Sequence, residues 1–152
     1  MPEYLILILI QIPTLIIACL VTYIAWEQWQ VARNKLRLDL FDRRYKVYDT
    51  TREFLAAIVR DASFSRSQFL AFNAGTSDAG FLFKGDVVDY IALIRTRASD
   101  MRANQEVYQD MPVGDECSRH VQEEKDQLSW LTEQITFISE KFAPCLSFSH
   151  IR

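Results

Sequence analysis

Residues 5–24 form an uncharged run of 20, mostly Leu, Ile, Val and Ala, and no other feature constrains the fold as strongly. As a helix rising 1.5 Å per residue, such a run covers roughly 30 Å, the thickness of a bilayer's hydrocarbon core. A helix buried in so small a protein would carry a polar stripe, so the run predicts a membrane span. It begins after Met1, Pro2 and Glu3, lacks a basic leader, and is followed by no small-x-small cleavage signal. A permanent anchor is therefore expected, not a cleaved signal peptide. Ile16-Ile17-Ala18-Cys19 has the form of a lipoprotein box, but apolar sequence continues to Trp26, so Cys19 reads as a thiol inside the span.

Charge sets the expected orientation. Only Glu3 and the amino terminus precede the span, whereas Arg33, Lys35, Arg37, Arg43, Arg44 and Lys46 follow it. Basic flanks remain on the cytoplasmic side, which predicts an inner-membrane, single-pass protein with its N-terminus outside and its C-terminus in the cytoplasm. Tyr4 at one end, and Tyr23, Trp26 and Trp29 at the other, are candidate interface aromatics, and Arg33, Lys35 and Arg37 are candidate headgroup contacts. Beyond Arg37 the mixed charges read as a solvated face, with Asp39–Arg43 and Asp42–Lys46 placed for pairing one turn apart. Cys19, Cys117 and Cys145, an odd number without regular spacing, read as free thiols in a reducing compartment. Within the span, Gln11 reads as snorkelling and Pro13 as a tolerated kink, the alternative being that the two mark a packing face against another span; there is no Gly-x-x-x-Gly seam.

The expected division is a transmembrane anchor over residues 1–26 and a cytosolic domain over 27–152. Four glycines and four prolines are too few for a turn-rich β fold, so this domain should be all-α. A first apolar stripe, Val31, Leu38, Phe41, Tyr45, Tyr48, Leu55, Ile58 and Ala62, continues the span in steps of three, four or seven. Ser65-Arg66-Ser67-Gln68 is a capping box that starts a short helix carrying Phe69, Leu70 and Phe72 and ending at Gly75. Residues 75–85 read as a loop. Asp86 opens a second long helix through Val88, Ile91, Ile94, Ala98, Met101, Gln105 and Tyr108, and Pro112-Val113-Gly114 breaks it. A third follows with Val121, Leu128, Leu131, Ile135, Ile138 and Phe142, stopped by Pro144. Three long helices and one short one, joined by short connections, bury their stripes as an antiparallel bundle.

The run Lys35-Leu36-Arg37-Leu38-Asp39-Leu40-Phe41-Asp42-Arg43-Arg44-Tyr45-Lys46-Val47-Tyr48 resembles a group of uncharacterised small bacterial single-span membrane proteins, in which a Trp/Gln-rich membrane exit leads into such a run. The similarity extends to Phe81-Leu82-Phe83, to Val87-Val88-Asp89-Tyr90-Ile91 and to Phe142-Ala143-Pro144-Cys145-Leu146, where Cys145 stands in place of an expected aromatic. The resemblance brings no reaction, cofactor or catalytic residue.

No catalytic motif surrounds His120 or His150, and no phosphate-cradling glycine loop occurs. Cys117-x-x-His120 with Cys145-x4-His150 formally supplies a zinc set, but His150 lies in the terminal tail and Cys145 reads as a small apolar residue. Trp130 reads as the edge of the core. No catalytic, cofactor or metal residue is assigned. The net charge of −3 conceals a division: residues 27–60 carry eight basic against five acidic residues, and residues 100–126 carry eight acidic against three basic. That balance disfavours nucleic acid. The expected partners are the lipid bilayer and a protein, or a second copy of the chain. The expected function is a non-enzymatic, membrane-anchored interaction module with a regulatory, stress or phage-defence role. An accessory subunit of a larger membrane enzyme or transporter is the alternative.

Overall fold

A computed structural model describes residues 2–109 and 114–147, without the side chains of residues 2–12, 108, 109 and 117. The chain is all-α, with no strand among the described residues. It divides into two units, Met1–Asp39 and Leu40–Arg152.

The first unit lies within α1 (Pro2–Asp61), which passes through Pro13 without interruption. Proline removes a single ladder bond, and such a loss is tolerated inside an apolar helix. Thr22 satisfies its hydroxyl internally by donating to the Ala18 carbonyl at 2.8 Å. Residues 13–36 are all exposed, Leu15, Ile16, Ile17, Leu20, Val21 and Ile24 by 50% or more. So large an apolar surface makes α1 the one helix, among the described residues, that is long and apolar enough to cross a membrane.

The second unit takes α1 from Leu40 onward together with α2 (Arg66–Gly75), α3 (Ala79–Leu82), α4 (Asp86–Gln109) and α5 (Asp115–Leu146). The Ser65 hydroxyl accepts from the Gln68 amide while the Gln68 side chain accepts from the Ser65 amide, so the capping box starts α2 as expected. Gly85 has φ +50, a conformation glycine adopts without strain, and it turns the chain into α4. Asp86 and Asp89 in the first turn of α4, and Asp115 and Glu116 in that of α5, complement the helix dipoles.

The elements alternate in direction. Thr50 approaches Gly75 near the end of α2, while Arg44, further back along α1, reaches the Leu82 carbonyl at the end of α3. The α2–α3 segment therefore returns antiparallel to α1. Tyr90 bonds to the Gln134 carbonyl and Arg97 to Gln127, and these pairings run α5 antiparallel to α4. Tyr48 meets Ser139 and Arg44 meets the Cys145 carbonyl, which sets α5 antiparallel to α1 as well. The result is an up-down-up-down bundle whose second member is short and broken.

Its core joins Val47, Phe54, Leu55 and Ile58 of α1 to Phe72, Phe83, Ile91, Ile94, Met101, Leu131, Ile138 and Phe142. Phe54 stacks on Phe72 with ring centroids 4.5 Å apart. Phe142 receives Tyr48, Phe83 and Tyr90 edge-on at 5.4, 5.5 and 6.5 Å. Such geometries add to the gain from burial alone.

Several expectations are corrected. Leu38 is 54% exposed, and Val31 and Tyr45 also face out, because a seven-residue step on a straight helix falls about 20° short of two turns. The stripe thus rotates off the face that Val47, Thr51, Phe54 and Ile58 bury. Ala62 does not line that face either: it is exposed, beyond the end of α1, with φ +50. Residues 75–85 are not wholly loop, since α3 forms there and buries Ala79 and, just beyond, Phe83. Pro144 does not stop α5, which runs on to Leu146; a proline so close to the end costs one hydrogen bond, and the Ser147 amide closes the turn on the Ala143 carbonyl. Asp39–Arg43 and Asp42–Lys46 do not close as ion pairs. Exposed pairs gain little, so geometry decides which of them close, and the next one along α1 is Asp49–Arg52 at 3.3 Å.

Candidate membrane interface

Along α1 the apolar surface up to Ile24 gives way first to aromatics and then to cations. Tyr23, Trp26 and Trp29 are each more than half exposed. The Tyr23 hydroxyl donates to Glu27 Oε1 at 3.1 Å, one turn on. The Arg33 guanidinium lies 5.4 Å from the centre of the Trp29 ring, also one turn on. These contacts follow from helix geometry, which places residues four apart side by side. Each joins an aromatic body to a polar group, the amphipathic arrangement that suits the boundary between hydrocarbon and headgroups. The arginine on the tryptophan face is worth about 0.5–1 kcal/mol while exposed.

Lys35 is exposed and Arg37 half-buried; among the described candidate interface residues, Trp29 and Arg33 are brought into contact. The Tyr4 and Gln11 side chains lie outside the described residues. Arg44, grouped with the basic run by sequence, belongs to the bundle instead. Its Nε donates to the Leu82 carbonyl at 3.0 Å, its Nη1 to the Cys145 carbonyl at 3.3 Å, and its guanidinium lies 6.0 Å from the centre of the Phe83 ring. It thereby satisfies carbonyls near the ends of α3 and α5. The signal for this lay in its position seven residues before Thr51 and three before Val47, on the face that is buried.

Two members of the formal zinc set, His120 and Cys145, make other contacts. His120 Nδ1 is 3.0 Å from Asn104 Oδ1 and 3.8 Å from Glu123, and Cys145 packs at the edge of the core. The Cys117 side chain and His150 lie outside the described residues. Trp130 is partly buried against the core, with the Arg97 guanidinium 5.3 Å from its ring centre, and Arg97 also donates to Gln127 at 3.0 Å.

Comparison with family models, with curated proteins and with solved structures finds no match to this chain.

Proposed function

We propose that the protein is a non-enzymatic interaction module held at a bacterial inner membrane by a single pass, with residues before the span outside and the helical bundle in the cytoplasm. The observation that carries this reading is the exposed apolar surface of residues 13–24, followed in order by Tyr23, Trp26, Trp29 and the cations at 33, 35 and 37. An aqueous surface of that kind is costly, and a bilayer removes the cost while accepting the aromatics and cations at its edge. A bundle tethered in this way meets its partners in two dimensions, which raises their effective concentration.

Purification of the full chain in mild detergent, with the mass of the assembly measured and its components identified, tests the reading. The expected result is a defined assembly, either of the chain with itself or with a stoichiometric protein partner. A monomer without partners contradicts it, and recovery among the subunits of a membrane enzyme or transporter would establish the accessory-subunit alternative in its place.

A further inference from the structure

We infer that α1 pairs with α1 of a second copy as a parallel, in-register, two-stranded coiled coil along Ile17, Leu20, Ile24, Val31, Asn34 and Leu38. The inference rests on the proposed function and names the partner as the chain itself. Its starting point is the stripe that failed to enter the core. Ile17, Ile24, Val31 and Leu38 recur at a strict interval of seven and are 60%, 50%, 67% and 54% exposed. On a straight helix these residues drift around the axis; left-handed supercoiling about a second helix brings them onto one seam.

In heptad terms they occupy one core position throughout, without a polar interruption. The second core position holds Leu20, Glu27 and Asn34. β-branched residues at the first position, here Ile17, Ile24 and Val31, suit two parallel strands, Leu20 supplies the leucine of the second position once, and Asn34 sets a side-chain amide opposite its counterpart. Glu27 accepts a hydrogen bond from Tyr23, at the flanking position before Ile24, which draws its carboxylate to the rim of the seam. In the same sequence register the flanking positions place Arg37 of one copy against Asp42 of the other, five residues on. Two-fold symmetry provides that attraction twice. The opposite face, through Trp26, Trp29, Leu36 and Leu40, is interrupted by Arg33, which lies over Trp29. A second copy is the occupant favoured by these features, because it presents the same seven-residue interval and the complementary charge at the same distance from its own span.

Disulfide crosslinking of the full chain in membranes tests this. With Cys19, Cys117 and Cys145 replaced by Ala, single cysteines are introduced as Val31→Cys, Leu38→Cys, Arg33→Cys and Leu36→Cys. Crosslinked dimer is expected at 31 and 38 at several times the yield at 33 and 36. Equal yields at all four positions, or yields highest at 36, would overturn the proposal. As a second measurement that keeps the native cysteines, the full chain in mild detergent should have the mass of a dimer, and Val31→Lys with Leu38→Lys should reduce it to a monomer of unchanged helicity. A heteromeric assembly without crosslinking at 31 and 38 overturns this inference and leaves the interaction-module reading standing. A lone monomer overturns both.

Discussion

Ala62 holds the conformation that ends α1, with φ +50 and a side chain exposed to solvent. A Cβ in this region costs about 1 kcal/mol or more, which glycine avoids. Ala62→Gly should therefore stabilise the bundle by roughly 0.5–1 kcal/mol after allowance for the freer unfolded chain, seen as a higher midpoint in thermal unfolding followed by circular dichroism. Gly75 shows the opposite need. A Cβ there would lie 2.7 Å from Thr50 Cγ2 and 3.3 Å from Thr50 Cβ, so it is the close approach of α2 to α1 that requires glycine. Gly75→Ala should cost about 1–3 kcal/mol, as overpacking does, whereas Gly80→Ala, with nothing within 4 Å, should be neutral or slightly stabilising. Sequence placed Gly75 correctly as the end of α2 but for another reason: the neighbour that fixes its identity is 25 positions away in the chain, beyond the reach of a local pattern. Tyr90 supplies a titration. Burial pushes its phenol from 10 up to about 12. The folded state thus holds that proton more tightly than the unfolded chain, so the associated stability is complete below pH 10 and is lost as the pH rises from 10 towards 12. Tyrosinate absorbance should carry a late component that Tyr90→Phe removes; a late component that persists in the variant, or none in the parent, would contradict the burial of Tyr90.

At the scale of the element, local chemistry was legible where it is self-contained. The Ser65–Gln68 capping box, the opening of α4 at Asp86 and the stripe of Ile91, Ile94, Ala98 and Met101 each depend on neighbours within a turn or two. What escaped was the phase of a long helix. The interval of seven from Val31 to Tyr45 is as regular as any core stripe, but drift carries it away from the buried face, and Thr51 and Phe54 fill that face instead. The correction has a measurable consequence. Ile94→Ala and Leu131→Ala, both fully buried, should each cost about 2–5 kcal/mol in thermal unfolding, while Leu38→Ala should leave the bundle's stability almost unchanged. Equal sensitivity at all three positions would mean that Leu38 belongs to the core after all. Arg44 was hidden differently: a cation inside a basic run looks solvated until the fold supplies the Leu82 and Cys145 carbonyls, which lie 38 and 101 residues away.

For the molecule as a whole, two kinds of apolar surface carry the account. One is removed from water by the chain itself, through the interleaving of Phe54, Phe72, Ile94, Leu131 and Phe142 between helices of alternating direction. The other, residues 13–24 of α1, is left open, and the exposed rings of Trp26 and Trp29 and the Arg33 cation follow it. Fold class and a helix long and apolar enough to cross a membrane were readable from composition and order alone, because hydrophobic length is a one-dimensional quantity. The pairing of elements was not, since it is decided by contacts such as Tyr48–Ser139 and Tyr90–Gln134 that join distant parts of the chain. The central claim is that the open surface belongs in a bilayer, and extraction of cell membranes with alkaline carbonate tests it most directly. A chain held by a span stays in the membrane pellet after salt and carbonate washing, because the basic segment alone would be stripped away; release of the full-length protein into the carbonate supernatant would contradict the account.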